Sequence, residues 1–217
     1  MAKSGSPSKV TERGSARSAD TRRALVEAAI ETLKVDGFAG ASARAISERA
    51  DINQGLIFYH FGSVVNLLLV ALDTVSDDRM VKFGAAVSGV SSPADLAEVA
   101  TQIFRDDLDS GHVTVLAEMI AGASSVPGLG VEVATRLAPW FTFAQNAIDA
   151  SFGTSPFASL LPSSDVAYVI VAMYLGLEML THLDGNRDPA LQVFAHAQRL
   201  VAMLGALSAF APPQEIA

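Results

Sequence analysis

Gln54, Tyr59 and His60 stand close together on a short segment and have one kind of chemistry in common. A glutamine amide can hold an adenine edge through two hydrogen bonds, and a phenol or an imidazole can donate to a phosphate oxygen. Gly55, beside Gln54, lets the backbone approach a ligand closely. Ser42, Arg44, Asn53 and Ser63 flank them with further hydroxyl, guanidinium and amide groups. This set is suited to the edges and backbone of duplex DNA and poorly suited to bond-making chemistry.

Two short helices are needed to present these groups. Ser42 is a good N-cap for a helix running to about Arg49, with Ile46 turned toward a core. Asp51 suits the left-handed backbone position at its end, and Asn53 suits the N-cap of a second helix carrying residues 54–60. Upstream, Asp20 can cap a helix from Thr21 to about Asp36 that stops at Gly37. Its stripe of Val26, Ala29, Ile30 and Leu33 would pack on Ile46 and Ile57 to close a three-helix core. Such a pair of helices around a tight turn places the second in the major groove.

The opening Thr21-Arg22-Arg23-Ala24-Leu25-Val26-Glu27-Ala28-Ala29, Gly37-Phe38, residues 42–46, Ala50, Gly55 and the run Ile57-Phe58-Tyr59-His60-Phe61-Gly62-Ser63 keep one order and spacing without a gap. Through them, residues 21–68 resemble the DNA-binding domain of TetR-family transcriptional regulators. The resemblance implies a homodimer, a helical ligand-binding domain and repression relieved by a small molecule. The chain departs from the family pattern at Ser47, where alanine is usual, and at Asp51, where glycine is usual. Phe58 replaces a tyrosine and Val64 a lysine, and both changes remove groups that meet DNA.

Charge divides the chain. Residues 1–65 hold nine Lys/Arg against seven Asp/Glu, while residues 66–217 hold six against sixteen. The acidic remainder would be repelled by phosphate, which turns the basic end toward DNA; a merely soluble acidic domain gives the same count. Residues 1–19, rich in Ser, Ala, Gly and basic side chains, read as a flexible basic tail that either reaches DNA or is only solvated. The expected domains are therefore a tail over 1–19, a helix-turn-helix domain over 20–66 and a helical ligand-binding and dimerisation domain over 67–217. The start of the chain has no apolar run of the signal-peptide kind, and cysteine is absent, so disulfides and cysteine metal sites are excluded. A cytoplasmic location fits.

From residue 63 onward the pattern is helical throughout, giving an all-α fold class. Helices are expected at about 63–87, 94–109, 112–123, 129–152, 165–184 and 189–210, with Pro93, Pro127, Pro162 and Pro189 near starts and Gly111, Gly153 and Gly185 at ends. The apolar run over 166–177 is too short to span a bilayer and is followed by Glu178 and His182, so no membrane partner is expected. In the last two helices two apolar stripes lie side by side. One can face its own subunit and the other a second copy, with Leu175, Gly176, Met179, Leu183, Val193, Leu200, Leu204 and Leu207 at the symmetric interface. Central helices of a monomeric bundle would show the same pattern.

Phe104, Leu116, Met119, Trp140, Phe141, Phe143 and Met173 read as the lining of an apolar effector pocket or as ordinary core. Glu118 and Gln145 fall among apolar neighbours as surface residues or specific hydrogen-bonding groups. The acidic run of Asp106, Asp107 and Asp109 reads as a solvated helix end. No enzyme is indicated. His60, His112, His182 and His196 lack metal-ligand spacing, Gly128 and Gly130 lack the third glycine of a dinucleotide loop, and no nucleophile elbow is present. No cofactor or metal is expected.

These readings converge on a ligand-responsive DNA-binding regulator. It would be a homodimeric repressor released from a palindromic double-stranded operator by a small apolar or aromatic effector that changes the spacing of the two recognition helices. The alternative is a helical ligand-binding dimer with little or no DNA affinity.

Overall fold

The computed structural model describes residues 9–152 and 161–209, all of whose regular elements are α-helices. They run α1 (Lys9–Gly40), α2 (Ala43–Ala50), α3 (Gly55–Phe61), α4 (Val64–Val87), α5 (Pro93–Ser110), α6 (His112–Gly122), α7 (Leu129–Phe152), α8 (Ser163–Asp184) and α9 (Asp188–Ala209). The expected boundaries from α4 onward fall within a few residues of the observed ones. The reason is local: Pro93 opens α5 behind the Ser92 cap, and Gly111 and Gly185 take the left-handed position that ends α5 and α8. Gly153 lies outside the described residues.

The start of the chain differs from expectation. The residues assigned to a flexible tail are helical from Lys9, so α1 is continuous through Asp20, which pairs with Arg23 instead of capping. Residues 1–8 lie outside the described residues. Gly37 breaks the helix with φ 69, after which one more turn runs to Gly40.

The chain forms two compact units. One comprises residues 1–76 and 114–133, the other residues 77–113 and 134–217. The first is built on a core of Leu25, Leu33, Ile46, Ile57, Leu67 and Leu68, all essentially inaccessible. Its last part, from α6 and the segment after it, belongs with the N-terminal helices although it is far away in sequence. In the second unit Phe104, Ala190 and Phe194 form a buried cluster joined by Tyr174 and Leu177, which holds α5, α8 and α9 together.

α8 is apolar beyond the short run expected to matter. Over its whole length it meets the length and composition of a membrane-crossing helix. Its inward face carries Tyr174, Glu178 and Thr181, with Glu178 and Thr181 buried, and its outward face carries exposed Tyr168, Val169, Leu180 and Leu183.

Candidate nucleic-acid interface

The turn between α2 and α3 is held by local bonds. Ser42 is extended and its Oγ accepts from the Ala45 N–H at 3.2 Å, starting α2. At the other end Asp51 sits at φ 53, ψ 43, and the N–H groups of Asp51 and Ile52 donate to the carbonyls of Glu48 and Ser47. Asp is tolerated in this left-handed position at modest cost. Asn53 then prepares α3, its Oδ1 accepting from the Gly55 N–H at 2.8 Å and its carbonyl from the Leu56 N–H at 3.0 Å. A side chain at position 55 would put its Cβ 3.1 Å from that Oδ1, so glycine keeps the cap in place.

α3 divides its residues sharply. Ile57 and Phe61 are buried against the unit, while Gln54 and Gly55 are exposed, Phe58 is half exposed and Tyr59 is 78 % exposed. His60 is partly covered, with its ring 5.0 Å from Tyr59 and 6.2 Å from Phe61. Exposed aromatic rings beside an exposed amide form a surface that can meet bases and phosphates. Arg44 projects from α2 into solvent and donates to Glu48 at 2.7 Å, a bond easily exchanged for a phosphate. Ser63 is partly committed: its Oγ accepts from the Asn66 N–H at 3.1 Å and caps α4.

Sequence reasoning missed the residues that fix these helices. Arg49 donates to Thr32 at 3.0 Å and to Asp36 at 2.7 Å, tying α2 to α1. Arg22 lies 5.1 Å above the Phe61 ring, tying α1 to α3. Glu118 of α6, expected either on the surface or in a pocket, accepts from the Phe38 N–H at 2.8 Å, directly after the Gly37 break. Gly122 carries no side chain because a Cβ there would stand 2.4 Å from the Phe38 ring. Polar residues spaced along single helices gave no sign of these long-range partners.

The residues proposed as an effector pocket fall in both units. Leu116 and Met119 are buried in the first. In the second, Phe104 is fully buried core, its ring 4.7 Å from Phe194 and 5.4 Å from Tyr174. Trp140 and Phe143 are partly covered and meet edge to face at 5.8 Å, Phe141 stacks on Tyr168 at 5.3 Å, and Met173 is exposed on α8. Gln145 donates to Ser163 at 3.4 Å.

The acidic run corrects the sequence reading most strongly. Asp106 pairs with Lys82 and Asp109 with Arg187, but Asp107 is 1 % exposed and not solvated at all. It accepts a bidentate bond from Arg79 of α4 and a third bond from the Tyr174 hydroxyl at 2.5 Å. Arg79 lies 4.7 Å over the Trp140 ring. Burial works against its charge, yet Asp107 holds its pKa above the ordinary value. Glu178 completes the cluster, also 1 % exposed, and neither carboxyl oxygen has a hydrogen-bond partner. Burial first, and then the neighbouring Asp107 charge, push this carboxyl up to about 9. An unsatisfied buried polar group costs about 1–3 kcal/mol.

Of the proposed interface residues, Leu183 is 80 % exposed, and Leu200, Met179 and Val193 are exposed to lesser degrees. Leu175 and Gly176 are partly covered, and the side chains of Leu204 and Leu207 lie outside the described residues.

Residues 25–70 match the family described as bacterial regulatory proteins, tetR family. Over this segment the chain matches the TetR family's DNA-binding domain. An uncharacterized HTH-type transcriptional regulator of Mycobacterium tuberculosis is 27 % identical over 107 residues, which is 49 % of this chain and 55 % of the relative. The chain thus spans about half the length of the curated relatives it matches. A TetR-family transcriptional regulator from Cytophaga hutchinsonii superposes with a TM-score of 0.70 at 18 % identity, over 86 % of this chain and 95 % of that one. FadR from Bacillus subtilis, solved with stearoyl-CoA, gives 0.70 at 12 % identity, over 82 % and 96 %. These likenesses show the TetR fold along most of the chain. The family and the curated relatives are named as regulators, not enzymes.

The departures from the TetR pattern now have places. Ser47 is buried and its hydroxyl donates to the Arg44 carbonyl at 2.9 Å, so it is absorbed within α2. Asp51 keeps the turn that glycine would make. Phe58 leaves an exposed apolar ring where a hydroxyl is usual, and Val64 begins α4 without a cation.

Proposed function

We propose that the chain is a homodimeric transcriptional repressor, held on a palindromic operator through α3 and released by a small apolar or aromatic effector. The observation that carries the reading is the division of α3, with Ile57 and Phe61 anchored inside while Gln54, Phe58 and Tyr59 stand outside on a capped, braced helix. A protein with this role works in the cytoplasm, where its operator is. The structural neighbour solved with stearoyl-CoA, whose acyl chain is apolar, supports an effector with an apolar part.

A second copy is the occupant proposed for the outward face of α8 and α9. Val169, Leu180 and Leu183 on α8 and Leu200 and Met203 on the neighbouring α9 are large apolar residues left exposed, and grouped exposed apolar side chains mark interaction surfaces. A bilayer is the competing occupant for α8. The buried Glu178 and Thr181 and the Tyr174 contacts on its other face favour the dimer, because that face is already committed to its own unit.

Selection of genomic fragments by the purified protein at two salt concentrations tests the main reading. A palindromic site lost steeply at high salt is the expected outcome, since phosphate contacts release counterions. A well-folded dimer that enriches no site with or without added effector would favour the ligand-binding protein of little DNA affinity, which Phe58 and Val64 make the natural rival. Gln54→Ala and Tyr59→Ala should each weaken operator binding by about 1–3 kcal/mol without changing the melting temperature. Leu183→Asp should give a folded monomer by light scattering; recovery of the wild type in the membrane fraction would overturn the dimer assignment.

A further inference from the structure

Four helices of the second unit bring Arg79, Asp107, Trp140, Tyr174 and Glu178 together. Arg79 and Asp107 neutralise each other, and the Tyr174 hydroxyl is spent on Asp107. Glu178 is left as the acid in the cluster whose oxygens lack a donor in hydrogen-bond geometry; the Tyr174 hydroxyl also bears on it but is directed to Asp107. A buried polar group without a partner in a native protein calls for an occupant. An anion would meet two carboxyl groups, and the Arg79 guanidinium is already engaged at both nitrogens it offers Asp107. A purely apolar molecule would leave Glu178 as unsatisfied as before. An ammonium ion that displaces the Glu178 proton supplies N–H donors to the carboxylate and its counter-charge together. The aromatic wall suits it as well, since the Trp140 ring, 6.2 Å from Phe83 and 5.8 Å from Phe143, already holds one cation on its face.

We propose that Glu178 anchors a small organic amine, whose ammonium group meets its carboxylate while the aromatic or apolar part lies along Trp140 and Phe83. This rests on the effector-responsive reading above and narrows the effector's class. The free protein holds the Glu178 carboxyl protonated at neutral pH. An ammonium ion can pair with it only when that proton leaves, so the carboxylic acid and the ammonium become an ion pair and one proton passes to the buffer. The groups bearing on Glu178 are Arg79 from α4, Asp107 from α5 and Tyr174 from its own helix. Arg79 and Tyr174 both have raised pKa values and keep their protons throughout the neutral range.

Calorimetry on the full chain with 2-(1-naphthyl)ethylamine, 2-(1-naphthyl)ethanol and 1-naphthylacetate decides the matter. The amine should bind at least about tenfold more tightly than the alcohol, with the carboxylate weakest. Repeating the titration in buffers of different ionisation enthalpy should show close to one proton released at pH 7. Affinity for the amine should rise by up to about tenfold per pH unit from neutrality toward 9. Glu178→Gln keeps the shape and cannot ionise, so it should bind amine and alcohol alike and release no proton. Equal binding of amine and alcohol by the wild type, no proton release, or no amine binding up to roughly 1 mM would each overturn the assignment. The wild-type proton count decides even where the variant fails to fold. Because these titrations contain no DNA, their failure leaves the operator reading standing, and a missing operator leaves the amine site standing.

Discussion

Two helix-borne carboxyl groups, one partly and one fully buried, solve the same problem in opposite ways. In the unit that carries α3, Glu118 reaches a free backbone N–H at the Gly37 break, and the helix end is closed by it. In the other unit, Glu178 sits against Asp107 with no donor, and the protein retains the cost. The first arrangement makes a rigid platform, because every strained feature, from the break in α1 to the Asp51 turn, has a named bond holding it. The second makes an interior with an unsatisfied hydrogen-bonding group. On the amine-site proposal, stability and responsiveness would fall to different carboxylates in one chain.

The largest test of this contrast is removal of the partner that makes the second interior tolerable. Asp107→Ala strands the Arg79 charge in a buried setting and should lower unfolding free energy by about 3–5 kcal/mol in urea titrations; a loss below about 1 kcal/mol would show that the pair is solvated. Next comes Glu178 itself. Burial and the Asp107 charge push its carboxyl up to about 9 in the folded protein, from an ordinary 4.5, so the folded protein binds the extra proton between those values. Its contribution is therefore fully present below about 4.5 and is lost as pH rises through 9, by at most about 1.4 kcal/mol per unit. Glu178→Gln should flatten that part of the stability–pH curve, and an unchanged curve would refute the protonated state. The smallest effect belongs to the closed interior. Glu118→Ala should cost about 1–2 kcal/mol, with Glu118→Gln restoring most of it because the amide oxygen still accepts from Phe38.

The contrast also separates what was legible in the sequence from what was not. Ser42, Asp51 and Asn53 act on neighbours two to four residues away, so their roles could be read from local chemistry, and the caps and turn are where that reading put them. Proline and glycine marked the ends of α5 and α8 for the same reason. Asp107 was misread because its partners Arg79 and Tyr174 are 28 and 67 residues away, and an aspartate between two others resembles any solvated helix end. The helical start of α1 was hidden by composition: Ser and Gly over 9–19 suggest disorder, while its Ala and Arg residues allow the helix to continue outward from a well-packed body. Effector-pocket residues were named by apolar type alone, which does not distinguish the fully buried Phe104 from the partly covered Trp140.

The brevity of α3 has a consequence of its own. Its seven residues span about 10 Å, the rise of roughly three base pairs. Three positions distinguish at most about 64 sequences, far too few to mark one address in a genome. Two copies reading together multiply that figure to about 4,000, and the remaining selectivity has to come from the spacing between them and the deformability of the DNA in between. For a reading head this small, the dimer proposed through the apolar face of α8 and α9 would be as much a part of the address as Gln54 or Tyr59.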